Sequence, residues 1–172
     1  LPSTEAFSIA AAGCNFECKF CQNWNIAQYR PEQVDGFYLP PAKVVSLAKE
    51  KNCPTIAYTY SEPVVFYEYM HDTALQASRE GIGSVMISNG YINEAPLIEL
   101  CRHLTGVKID LKGFSETFYK DYCSGELKPV LDTLKRLRRI GIWHELVVLL
   151  IPTLNDSRDE ISRDILADTT DS

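Results

Sequence analysis

Cys14, Cys18 and Cys21, half of the chain's six cysteines, stand together in the run Gly13-Cys14-Asn15-Phe16-Glu17-Cys18-Lys19-Phe20-Cys21-Gln22-Asn23-Trp24. Their spacing is C-x3-C-x2-C. The run follows the short apolar stretch Phe7 to Ala12, so three thiols gather just beyond an expected strand. Iron–sulfur clusters are held by cysteine thiolates, usually four. Three thiolates leave one iron of a [4Fe-4S] cluster without a protein ligand, and an open metal position is where substrate chemistry takes place. Two other readings use the same residues. Zinc accepts closely spaced cysteines, but structural zinc sites prefer two separated pairs, and the sequence offers no second pair. The histidines, His71, His103 and His144, are scattered and show no ligand spacing. Disulfides would leave one of the three thiols over, and nothing in the chain reads as secreted.

Weaker candidates come from position. Asp110 and Lys112 alternate along the end of an expected fourth strand and so share a face. Inside a barrel they would be costly unless paired or bound to ligand, and an internal ion pair is the plainer reading. Ser88 and Asn89 close the third strand, where Asn89 is also a natural turn residue. Glu62 precedes Pro63 and suits a helix start, favoured by the dipole. Cys53, Cys101 and Cys123 read as small buried hydrophobes. Cys123 stands apart, because it follows the fourth strand on the loop side and is expected to approach the reaction site.

These residues need a frame. Alternating apolar segments predict strands over Glu5–Ala11, Thr55–Tyr60, Ser84–Ser88, Gly106–Leu111 and Trp143–Ile151. Between them, helices are expected from Pro41 to Lys51, Val64 to Arg79, Glu94 to His103 and Val130 to Ile140, with a short one over Ser115–Tyr122. The run Leu146-Val147-Val148-Leu149-Leu150-Ile151 is apolar on both faces, as in a parallel sheet covered by helices. Alternation of strand and helix predicts an α/β fold of βαβ units. A full eight-unit barrel takes about 200 to 250 residues, more than the 172 present.

Composition narrows the class. The chain is 45% hydrophobic and 23% charged, an ordinary single domain able to bury a core. Its 17 basic residues against 23 acidic ones give a net charge of -6, which argues against a nucleic-acid partner. The basic cluster Lys135-Arg136-Leu137-Arg138-Arg139 reads as the solvated face and last turn of a helix. No apolar stretch approaches the ~20 residues that span a bilayer. A soluble, cytoplasmic protein is expected, in a compartment that keeps thiolates reduced. The chain starts at Leu1 rather than a methionine, so it reads as a piece of a longer protein.

C-x3-C-x-aromatic-C, with Phe20 immediately before the third cysteine, resembles the signature of the radical S-adenosylmethionine (SAM) enzymes. The longer run Cys14 to Gln28 is joined by Tyr58-Thr59-Tyr60-Ser61-Glu62-Pro63, Asn89-Gly90-Tyr91, Ile109-Asp110-Leu111-Lys112-Gly113-Phe114 and Ile151-Pro152-Thr153-Leu154-Asn155-Asp156. Together these resemble the AmmeMemoRadiSam-type branch, relatives of pyruvate formate-lyase activating enzyme, from Ala6 to about Ile165. The resemblance implies a partial parallel (β/α)6-type barrel. Here that barrel is cut to about five β/α units, with residues 1–172 forming a core domain that lacks the sixth strand and both flanking segments.

It also implies roles. Cys14, Cys18 and Cys21 would ligate a [4Fe-4S] cluster whose fourth iron binds S-adenosylmethionine. Phe20, Cys21 and Gln22 would lie beside that cofactor, Phe20 near the adenine. Ser61 and Glu62 stand where relatives carry Gly-Gly-Glu-Pro, the loop that meets the methionine amino group, with Tyr60 and Ser61 replacing the glycines. Ser88, Asn89, Asp110, Leu111 and Lys112 would complete the pocket. By the same resemblance, an electron donor such as flavodoxin or ferredoxin reduces the cluster, and a 5′-deoxyadenosyl radical takes hydrogen from a substrate. That substrate would be the glycine of a glycyl-radical enzyme, with another protein or a small molecule as the alternative. A zinc-binding or cluster-bearing module without turnover is the reading from outside the enzymes.

Overall fold

The structure, a computed structural model, describes residues 4–169. Five strands form one sheet in the order β1 to β5: β1 (Ala6–Ile9), β2 (Thr55–Tyr58), β3 (Gly83–Ser88), β4 (Gly106–Leu111) and β5 (His144–Val148). Every adjacent pair is parallel, with Phe7 opposite Ile56, Ile56 opposite Ser84, Met86 opposite Val107 and Ile109 opposite Leu146. Parallel neighbours need a crossover. The helices that supply it are α1 (Trp24–Ala27) and α2 (Pro41–Glu50), α3 (Tyr67–Arg79), α4 (Glu94–Cys101), and α5 (Glu116–Phe118) with α6 (Leu127–Ile140). A last helix, α7 (Arg158–Thr169), follows β5. This is the α/β partial barrel expected, with five strands.

Helical spacing sets the core. Val44, Val45 and Ala48, then Met70, Ala74 and Ala77, then Leu97 and Leu100, then Val130, Leu134 and Leu137 are all buried. Within each set the residues recur at intervals of three to four, Val45 beside Val44 widening the first stripe, which puts each set on one helix face. They join one cluster with Ile56, Tyr58, Met86, Val107 and Ile109 of the strands. Burial along β4 alternates, with Val107, Ile109 and Leu111 buried and Lys108 and Asp110 half-buried.

Several boundaries differ from expectation. Among the described residues the outer strands β1 and β5 pair on one side only, and they are shorter than the apolar runs Glu5–Ala11 and Trp143–Ile151 suggest. The β5 run is also not covered on both faces: Val147, Leu149 and Leu150 are 41%, 55% and 49% exposed. The helix expected from Val64 begins as a 3-10 turn, Pro63–Phe66, capped by the Glu62 carboxylate. Helix α6 starts at Leu127, three residues before the expected Val130, because Glu116 accepts from the backbone N–H groups of Leu127 and Lys128 at 3.2 Å. That remote cap, with Pro129 tolerated in the first turn, leaves no local signal. The short helix over Ser115–Tyr122 is instead α5 running into a π-helical turn, Tyr119–Cys123, ended by Ser124 at φ 56°.

Candidate functional site

The cysteine loop leaves β1 through Gly13, whose φ of +110° is open to glycine and strained for other residues. Its N–H donates to Ile26 O at 2.9 Å, and its carbonyl accepts from the Glu62 N–H at 3.4 Å. On its far side the loop is pinned to the π turn: Glu17 N–H donates to Cys123 O and Lys19 N–H to Tyr122 O, both at 2.9 Å. Phe16 is buried beneath the loop, edge-on to Tyr91 and Tyr119. Gly125 lies against that ring so closely that an added Cβ would overlap it.

The loop and the carboxyl ends of the strands enclose a cavity of about 410 Å³, within the usual range for small-molecule sites. Cys14, Cys18 and Cys21 line it, as do Phe20 and Gln22. So do Ser61 and Glu62, Ser88 and Asn89, and Asp110, Leu111 and Lys112. The structure thus brings every residue anticipated for the pocket to one place. It adds Asn23, Tyr60 and Lys108, and Val147 of β5 with Leu149 just beyond its end. The period-two alternation that selected Asp110 and Lys112 carries Lys108 as well. Val147 and Leu149 carry no polar group to single them out.

Glu62 is the hub. Its Oε1 accepts from Ser88 Oγ at 2.7 Å and Val64 N–H at 3.1 Å, and its Oε2 from Asn89 N–H at 2.8 Å. It is therefore the helix-start carboxylate and also the tie between the ends of β2 and β3. Burial raises its pKa against the lowering effect of Asn89, Ser88, Val64 and Lys112. A carboxylate offers about four acceptor positions, so one remains. The backbone just before it, at Tyr60, has φ of 70°, the conformation a glycine takes freely, and Asn23 Nδ2 holds the Tyr60 carbonyl at 2.9 Å. Tyrosine bears strain there that glycine would not.

Asn89 serves as a turn residue, its Oδ1 accepting from Tyr91 N–H at 2.8 Å, and also as an anchor, its Nδ2 donating to Asn15 Oδ1 at 2.7 Å and lying 3.9 Å from Cys14 Sγ. Asp110 is shared by two cations, Lys108 Nζ at 3.4 Å and Lys112 Nζ at 3.6 Å. Its Oδ1 nevertheless has no aligned hydrogen bond, and neither does the buried Ser61 Oγ. Phe20 packs 5.8 Å from Phe118. Asn155, fully buried, clamps the strand ends: Nδ2 donates to Lys112 O and Leu149 O at 3.0 and 2.8 Å, and Oδ1 accepts from Ile151 N–H at 2.6 Å.

The thiols differ. Burial pushes Cys14 up to about 11, so a metal ion has to displace its proton. A hydrogen bond from the Cys123 thiol holds Cys18 below the usual range, helped by Lys112, and raises Cys123 in turn. Cys123, fully buried, thus meets a cavity cysteine from behind without lining the cavity itself. Cys53 is also buried, and Cys101 half-buried. Among the described residues the cysteine sulfurs do not form a group mutually within 4.8 Å, whereas sulfurs around a single zinc at about 2.3 Å would be closer than that. Three thiols around one cavity, with Glu62, Lys108, Asp110 and Lys112 on its wall, fit a cluster with a polar cofactor beside it.

A sequence profile described as the radical SAM superfamily matches residues 8–165. The chain belongs to the radical SAM superfamily. Radical SAM enzymes use a [4Fe-4S] cluster and S-adenosylmethionine. An uncharacterized protein of Methanocaldococcus jannaschii is 43% identical over 93% of this chain and 47% of its own length. The pyruvate formate-lyase-activating enzyme of Clostridium pasteurianum is 21% identical over 88% of this chain and 64% of its own. The chain therefore spans about half of the first relative and under two thirds of the second. In fold it resembles SuiB of Streptococcus suis bound to S-adenosylmethionine, with a TM-score of 0.71 at 10% identity over 95% of this chain and 36% of that one. A domain of pyruvate-formate lyase-activating enzyme from Bacteroides vulgatus gives 0.60 at 18% identity over 64% of this chain and 69% of that one. No helix among the described residues is long and apolar enough to cross a membrane.

Proposed function

We propose that this chain is the cofactor-binding core of a radical SAM enzyme, with Cys14, Cys18 and Cys21 as ligands of a [4Fe-4S] cluster. The observation that carries this is the convergence of the three thiols, Glu62 and the Lys108-Asp110-Lys112 row on one cavity. Bound there, cluster and S-adenosylmethionine would supply one-electron cleavage of the cofactor and hydrogen abstraction from a substrate. The protein's share is binding, orientation and exclusion of water.

Glu62 keeps one acceptor position for an ammonium, a charge-assisted contact. Two lysines around one aspartate leave a positive excess suited to a carboxylate. Phe20 offers a ring face to the adenine, and stacking of this kind contributes about 1–3 kcal/mol per base in nucleic-acid systems. For substrate, the glycine of a glycyl-radical enzyme is favoured by the likeness to pyruvate formate-lyase-activating enzyme, with flavodoxin or ferredoxin as electron donor.

Anaerobic iron and sulfide analysis, then dithionite reduction with S-adenosylmethionine and chromatography for 5′-deoxyadenosine, tests the reading. Close to four irons per chain with product formed, and both lost in Cys18→Ala, is the expected result. Stoichiometric zinc with no cleavage would sink it.

A further inference from the structure

His71, Glu99 and His103 look unrelated in sequence, but folding brings their ligand-type atoms within 4.8 Å of one another. Glu99 lies in the last turn of α4 and His103 in the turn that follows it, where its N–H donates to Leu100 O at 2.9 Å, and α3 brings His71 against them, its ring 5.3 Å from that of His103. None of the three lines the cavity. We propose that they form a divalent-cation site, with zinc as the ion that two imidazoles and a carboxylate suit best.

Three observations support a site rather than a chance cluster. His71 Nε2 is buried without a hydrogen-bond partner and lies 4.0 Å from Glu99 Oε1. A buried polar nitrogen left in that condition is costly, and a cation would take its lone pair. The outer contacts also have the right sense. His71 Nδ1 lies 3.4 Å from Asp72 Oδ1, the carboxylate contact that metal-bound histidines commonly make through their other nitrogen. Arg102 Nη1 holds Glu99 Oε2 at 2.7 Å, which leaves Oε1 facing His71. Finally, Tyr67 stacks on the His71 ring at 6.0 Å and donates its hydroxyl to Pro96 O at 3.0 Å, fixing the ring between α3 and α4.

Zinc sits about 2.0–2.2 Å from such ligands, so modest side-chain rotation would close the group, with water at the fourth position. The ion would join α3 to α4, the two helices that flank β3 and so support Ser88 and Asn89 at its end.

The test is zinc and iron analysis of the same anaerobically isolated protein after equilibration with zinc sulfate and desalting, with a melting curve for each sample. About one zinc per chain is expected without loss of iron, together with a higher melting temperature. In His71→Ala and His103→Ala the zinc affinity should fall at least tenfold with the circular dichroism spectrum unchanged. Should either alanine variant fail to fold, Glu99→Gln, which keeps the side chain's shape, carries the same expectation. Zinc bound only as iron is displaced, no zinc bound, or zinc fully retained in these variants would overturn the proposal.

Discussion

At the scale of single residues, Glu62 links the chemistry to the fold. Its carboxyl binds a proton more tightly in the folded chain than in the unfolded one, because burial outweighs its hydrogen bonds. Between the ordinary carboxylate range and the raised folded value, the folded state therefore holds the extra proton, and stability falls as pH rises. Urea midpoints measured across that range should decline more steeply for the wild type than for Glu62→Gln. A wild type that gains stability relative to the variant as pH rises would mean that the three hydrogen bonds outweigh the burial.

At the scale of elements, two small contacts hold large pieces in register. Asn155 bonds the Lys112 and Leu149 carbonyls and the Ile151 N–H, joining the loop after β5 to the end of β4. Asn155→Ala would leave these groups without partners, at about 1–3 kcal/mol for each that water cannot reach. Thermal unfolding should show a loss of several degrees, since a chain of this size shifts about 2–4 °C per kcal/mol. Gly125 governs how the π turn sits on the cysteine loop. Gly125→Ala forces Phe16 off its place against Tyr91 and Tyr119, an overpacking cost of about 1–3 kcal/mol. Because Phe16 lies between Cys14 and Cys18, lower iron content after anaerobic reconstitution should accompany the lower melting point. An unchanged iron content would separate the turn from the site.

At the scale of the whole molecule, β5 has a partner among the described residues only in β4. Val147 on it is 41% exposed, and beside its ends Trp143, Leu149 and Leu150 are 62%, 55% and 49% exposed. An apolar strand with an unpaired edge invites pairing with another chain. Sedimentation of this chain should show concentration-dependent association, weakened in Leu150→Lys. A monomer at all concentrations is the contrary outcome.

Much of this was legible in the sequence, for a physical reason. Strand and helix periods, C-x3-C-x2-C and the alternation of Asp110 with Lys112 are local patterns, and in a parallel sheet local pattern also fixes which strand end a residue occupies. The pocket residues anticipated from those patterns and from the family resemblance all line one cavity. What the tertiary structure alone decided are contacts between segments far apart in the chain. The Cys123 thiol behind Cys18, Glu116 capping a helix eleven residues away, Asn155 closing on Lys112 and His71 facing His103 leave no periodic trace. Each depends on the packing of one crossover against another, and no spacing along the chain encodes that distance.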